Sequence, residues 1–217
     1  MVAVFAVVLL LMLAYLLGSF PTGYLVAQWV KGIDIRQYGS GGTGATNVLR
    51  TVGKEAAIAV LIIDLLKGML AVILAKFAFP VILSTFPEGA ATLLWQPWVE
   101  MLAGLMAIVG HSRSIWLNFT GGKSAASGLG ILLAMAWPVA LGAVAAFGIT
   151  VGISRIVSLG SIVAAMATIG LMFMTSQPLA YGVFAIIGGV YVILRHRSNI
   201  ERLLAGTEPR LGGQASK

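Results

Sequence analysis

The chain has 217 residues, 59% hydrophobic and only 10% charged, which is too little polar surface to clothe a soluble domain of that size. A formal net charge of +7 would suggest nucleic acid in a soluble protein, but in so apolar a chain it marks a cytoplasmic face or an anionic substrate. The absence of cysteine excludes disulfides and thiol chemistry. An all-α polytopic membrane protein is the class that remains.

Apolar runs occupy residues 2–30, 56–79, 90–110, 124–137, 138–153, 157–175 and 178–194. A helix needs ~20 residues to cross a bilayer, so the fourth and fifth runs are short. The stretch AMAWPVALG reads either as one kinked helix or as two short helices meeting at Trp137-Pro138. The first run is too long for the core of a signal peptide and lacks a basic flank, so it is expected to be retained. Basic residues then choose the topology. Lys31, Arg36, Arg50 and Lys54 follow the first run, and Arg113 and Lys123 lie between the third and fourth. Arg155 follows the fifth, and Arg195, Arg197, Arg202, Arg210 and Lys217 follow the last. The opposite loops carry Glu88, with Lys76 the only cation near them. Seven spans gather all of the first group on one face, whereas six would strand Arg155 and the C-terminal cluster. The expectation is seven transmembrane helices in a single domain, residues 1–217, with the N-terminus outside and the C-terminus cytoplasmic.

Each polar stretch then falls on the cytoplasmic side. In YGSGGTGATNVLR, the glycines at 39, 41, 42 and 44 free the backbone for positive φ, so that successive N–H groups can converge on an anion. Ser40, Thr43, Thr46 and Asn47 add hydrogen-bonding side chains, and Arg50 adds a fork that matches phosphate oxygens. The plain alternative is a flexible connector with a topogenic arginine. In GHSRSIWLNFTGGKS, Gly121 and Gly122 allow close backbone approach and Lys123 supplies a point charge. Ser124 is expected to open the fourth span, whose first N–H groups lack helical partners; together these make an anion site. It is not a Walker A loop, because Leu117 stands where that pattern needs glycine and no strand precedes it.

Further on, Ser158 and Ser161 share a helix face, although serine in a membrane helix usually bonds its own backbone or a neighbour. His196 and Asn199 are spaced to face one target, flanked by Arg195 and Arg197; the plain reading is an amphipathic tail on anionic lipid. Asp64 and Lys67 sit in mid-span and should pair inside the bundle, as a brace rather than a functional site. Two histidines 85 positions apart offer no metal site. His111 has Trp116 five residues on, so the His-x4-Asp acyltransferase signature is absent, as is a G-x-S-x-G elbow.

GSGGTGATNVLR, GHSRSIWLNFTGGKSAASG, SLGSI and RHRSNIERLLAGTE, in this order, resemble the bacterial acyl-phosphate:glycerol-3-phosphate acyltransferase family, PlsY. The resemblance runs from about Leu17 to the C-terminus. It implies an integral enzyme of the bacterial cytoplasmic membrane, with its active site on the cytoplasmic side. Such an enzyme moves a fatty acyl group from acyl phosphate to the 1-hydroxyl of glycerol 3-phosphate, giving lysophosphatidic acid and phosphate. The partners implied are those two substrates and membrane lipid, with no nucleic acid, cofactor or metal. The matching positions are Ser40 and Arg50, then Gly121, Gly122 and Lys123, then Ser158 and Ser161, then His196, Asn199 and Glu208. Ser40, Arg50, Lys123, His196, Asn199 and Glu208 are read as catalytic, and Gly41, Gly44, Asn47, Gly121, Gly122, Ser158 and Ser161 as substrate-binding. Two departures stand out. The family's usual Lys-Gly-Gly-Lys-Gly is Thr120-Gly121-Gly122-Lys123-Ser124 here, and its usual Phe-Pro is Arg113-Ser114.

A mixed-anhydride donor carries its own leaving group, so no acyl-enzyme is needed and the serines read as hydrogen-bond donors rather than nucleophiles. The proton of the attacking hydroxyl can go to His196 or to a phosphate oxygen of the donor. A transporter for phosphate or an organic anion would share the basic face, but it needs polar groups lining a path through the bilayer. On the outer half only Glu88 and Glu100 stand near that side.

Overall fold

Each apolar run becomes helix in the computed structural model, which describes residues 1–86 and 93–212; Glu88 and Lys217 lie outside the described residues. The first run is divided into α1 (Val2–Ser19) and α2 (Thr22–Lys31). Pro21 lacks an N–H, and the chain leaves helical geometry at Phe20. A short α3 (Ala45–Thr51) precedes the long α4 (Lys54–Thr85), and α5 (Gln96–Ser112) and α6 (Ala125–Met135) follow. Then come α7 (Trp137–Ser154), α8 (Val157–Met174), α9 (Leu179–Arg195) and a short α10 (Arg197–Leu204). Between α6 and α7 the backbone turns out of helix at Ala136, so this region is two helices rather than one kinked helix, with Pro138 in the first turn of α7.

Among the described residues, four segments are long and apolar enough to cross a membrane: Val2–Lys31, Lys54–Thr85, Trp137–Ser154 and Val157–Met174. A fifth is reached if α9 and α10, bent by 59° at His196, count as one span. The other two apolar runs give shorter helices. The 11 residues of α6 extend only about 16 Å, roughly half the hydrocarbon thickness.

The chain forms two compact units, Met1–Met135 and Ala136–Lys217. In the first, α4 packs against α1, α5 and α6, and α1 packs against α5. Small residues permit the closest approaches: a β-carbon at Gly68 would fall on the Ser127 carbonyl, and one at Gly130 on the Leu65 carbonyl. Asp64 and Lys67 form the expected brace, with Oδ1 and Nζ 2.8 Å apart. Lys67 Nζ also donates to the Phe20 carbonyl at 2.8 Å, at the point where Pro21 breaks the first helix. In the second unit α8 packs between α7 and α9.

Candidate active site

The first glycine stretch folds around Asn47. Its Oδ1 accepts the Ser40 N–H at 3.0 Å. Its Nδ2 lies 2.8 Å from Gly42 O, 3.0 Å from Tyr38 O and 3.2 Å from Ile35 O. Gly39 and Gly41 adopt φ of 58° and 70°, the left-handed region that the glycine-rich sequence anticipated. A β-carbon at Gly39 would strike Asn47 Oδ1. Asn47, expected to bind phosphate, is therefore the buried organiser of this loop. The buried side of α3 carries Asn47 and Val48, while Ser40 and Arg50 are exposed. Gly44 caps α3 in extended geometry.

The second stretch turns back on the end of α5. Ser114 N donates to Thr120 O at 3.2 Å, a bond that proline at this position could not make. Ser114 Oγ donates to Ser19 O at 2.6 Å. The close approach allowed by Gly121 and Gly122 is made to α5: a β-carbon at Gly121 would meet His111 O, and one at Gly122 would meet the His111 imidazole at Nε2. Gly122 N donates to His111 O at 3.2 Å. Lys123 is half-buried. α6 begins at Ala125 rather than Ser124, whose φ is 63°. A side chain in that region costs roughly 1 kcal/mol relative to glycine, the residue usual in the resembling family. Here Ser124 Oγ lies 2.6 Å from Ser112 Oγ and 3.0 Å from Ile108 O, and these bonds offset the strain.

The two stretches are tied by a residue that had been read only as a topogenic cation. Arg36 pairs with Asp34 at 2.7 Å and holds its carboxyl below the usual range. Arg36 Nη1 reaches both Leu117 O and Thr120 Oγ1 at 3.4 Å, and its guanidinium lies 5.3 Å from the Tyr24 ring centroid. Nothing in the sequence spacing announces a contact between positions 36 and 120.

In the second unit the expected residues converge on Glu208. Its Oε1 accepts from Ser158 Oγ and Asn199 Nδ2, each at 2.7 Å, and its Oε2 accepts from Arg202 Nε at 2.7 Å. Burial alone would raise the Glu208 pKa, but the bonds from Asn199, Ser158 and Arg202 outweigh it and hold the carboxyl below the ordinary range. This carboxylate binds its own protein; it was read as catalytic, and its geometry is that of a structural node. Ser161 Oγ bonds Val157 O of its own helix at 3.1 Å, the plain reading of that serine. His196 is the pivot of the bend between α9 and α10, and its Nδ1 lies 2.8 Å from Val192 O. Asn199 Nδ2 bonds Glu208, whereas His196 Nδ1 bonds the main chain of its own helix. The tail is fastened where Leu211 N donates to Arg155 O at 2.7 Å.

A depressed Glu208 pKa means that its ionised form stabilises the fold above the unfolded value near 4.5, and that this contribution is lost as pH falls through the lower folded value. The melting temperature of purified protein should therefore drop on acidification below that range, and Glu208→Gln should lack this component. Glu208→Ala should destabilise more, by about 1–3 kcal/mol for each buried group left unsatisfied.

The fold defines a helical integral membrane protein whose glycine loops and cations gather at helix ends. A family model described as glycerol-3-phosphate acyltransferase matches residues 8–206. The glycerol-3-phosphate acyltransferase of Acaryochloris marina is 56% identical over 94% of this chain and 91% of its own. The crystal structure of PlsY (YgiH), an integral membrane glycerol 3-phosphate acyltransferase, in its glycerol 3-phosphate form, superimposes with a TM-score of 0.82 at 36% identity. It covers 95% of this chain and 96% of that one. The lysophosphatidic acid form gives 0.78 at 36% identity, covering 94% of each. The chain belongs to the glycerol-3-phosphate acyltransferase family.

Proposed function

We propose that the chain transfers a fatty acyl group from acyl phosphate to the 1-hydroxyl of glycerol 3-phosphate. The hydroxyl oxygen attacks the acyl carbon, the carbon–oxygen bond to phosphate breaks, and lysophosphatidic acid and phosphate leave. The observation that carries this reading is the pair of glycine loops in the first unit, one bearing Arg50 and the other Lys123, linked through Arg36. Two anionic substrates need two cationic subsites, and these loops supply them. Positioning the substrates and stabilising charge at the attacked carbonyl is the work left to the protein, because the leaving group is already stable as phosphate. Ser40 serves as a hydrogen-bond donor beside Arg50. Gly41 and Gly44 shape that loop, as Gly121 and Gly122 shape the other.

His196 anchors a phosphate at the α9–α10 bend. Ser158, Asn199 and Glu208 hold that bend in place, with Ser161 one turn along α8. The proton of the attacking hydroxyl passes to the departing phosphate. Both units act as one domain in the bacterial cytoplasmic membrane, where the phosphate loops face the cytoplasm and the fatty tail stays in lipid. Purified protein given acyl phosphate and labelled glycerol 3-phosphate should form labelled lysophosphatidic acid. No product from either protein in detergent or protein in liposomes would reject the reading.

The seven-span arrangement, N-terminus outside, is part of the proposal. Cysteines introduced singly at positions 38, 118, 155 and 205 of this cysteine-free chain should label from the cytoplasm only, and one at 88 from outside. Outside labelling at 155 would overturn it.

A further inference from the structure

Asp64, Lys67, His111 and Ser127 are buried in the first unit and have no part in the reaction as described. Their side chains form a continuous cluster across three helices. Lys67 Nζ is 2.8 Å from Asp64 Oδ1. His111 Nδ1 lies 3.2 Å from Ser127 Oγ and 3.6 Å from Asp64 Oδ1. The opposite edge of the ring, Nε2, is where a β-carbon at Gly122 would collide. The main chain of the same histidine accepts the Gly122 N–H at 3.2 Å. Gly122 is therefore held twice by one residue, by its carbonyl and by its ring, and Lys123 is the next residue along.

We propose that His111 is a positioning residue for the phosphate loop: its ring, oriented by Ser127 and Asp64, is the wall that sets the height of Gly122 and so the place from which Lys123 projects. The proposal rests on the reading of Lys123 as a phosphate contact. Nδ1 faces a hydroxyl and a carboxylate, both able to accept its proton, and that partner choice fixes which edge of the ring meets the loop. Lys67 lies 2.8 Å from Asp64 and pairs with it while the carboxyl group orients the imidazole. Loop placement matters because a displacement of about 1 Å in a positioning group can cost on the order of a hundredfold in rate.

The wall makes a prediction that a purely stabilising role does not. Gly122→Ala should raise KM for one phosphate substrate by about tenfold or more, since its β-carbon must push the loop away from Nε2. His111→Asn keeps a polar atom near Nδ1 and removes the Nε2 edge, so that it makes room for that β-carbon. Alone it should raise the same KM several-fold through a loosened loop. Combined with Gly122→Ala it should give a KM well below the product of the two single effects, within the two- to hundredfold coupling typical of residues in contact. Asn also leaves Asp64 and Ser127 with a polar neighbour, so the fold survives the substitution. The measurements are KM for each substrate, kcat and melting temperature for the wild type, the two single variants and the double. Coupling in KM without parallel coupling in melting temperature supports positioning. Multiplicative KM effects, or an unchanged KM in His111→Asn, overturn it. If Gly122→Ala and Lys123→Ala leave both KM values at wild type, the phosphate reading of the loop fails instead, and the proposal falls with it.

Discussion

Arg50→Ala and Lys123→Ala are each expected to remove most of the turnover while the protein still folds. Losing a phosphate contact in a partly desolvated site costs about 2–4 kcal/mol, or roughly thirty- to a thousandfold. Folding should survive because the buried side of α3 is held by Asn47 and Val48, whereas Arg50 faces outward from its last turn. Lys123 is likewise flanked by residues that do the packing: Gly122 lies against His111, and Ser124 is bonded to Ser112 and Ile108. The check is kcat and KM for each substrate beside the melting temperature. Near-wild-type turnover with Arg50→Ala, at saturating and at low substrate, would mean that the first loop is only a connector. Arg50→Lys should recover little, because a point charge cannot reproduce a bidentate fork.

His196→Ala is expected to raise KM for one substrate by about tenfold or more, with the acidic limb of the pH–rate profile intact. The geometry favours an anchor over a base. His196 stands at the C-terminal end of α9, and its Nδ1 lies 2.8 Å from the Val192 carbonyl. A buried ring pinned at Nδ1 in this way has a fixed orientation, which suits holding a phosphate better than shuttling a proton. The surviving acidic limb should report the donor phosphate, whose second ionisation lies near 6 by analogy with phosphate monoesters. A kcat loss of ~10²–10⁴ with unchanged KM for both substrates and a vanished acidic limb would assign the proton to His196 instead.

The helices were legible as apolar runs, although two of the runs are short. Pro138 marks the start of α7, as its missing N–H and fixed φ require, whereas the break at Pro21 inside the first run was not anticipated. The glycine loops were legible as backbone devices, but what the glycines accommodate was not. Gly121 and Gly122 make room for α5 and the His111 ring, a tertiary contact that no local pattern encodes. Asn47 looked like a ligand for phosphate because its neighbours are glycines and hydroxyls, yet its amide is used by the carbonyls of its own loop. Glu208 is read as catalytic only through the family resemblance, because nothing in its own neighbourhood shows what it binds. Its partners Ser158 and Arg202 lie 50 positions and 6 positions away, and only the fold brings all of them to one carboxylate. Arg36 was missed in the same way, since its reach to Leu117 spans 81 positions.

The pairing of Asp64 with Lys67 bears on how the protein is made. Each side chain alone would cost about 2.5–3.5 kcal/mol at the centre of an inserting helix. They are three positions apart on α4, so the ion pair can close within that one segment without a contribution from any other helix. The nascent segment can therefore enter the bilayer as a nearly neutral dipole. Lys67 takes up the Phe20 carbonyl when α4 packs against the earlier first helix, and Asp64 comes to face His111 once α5 follows.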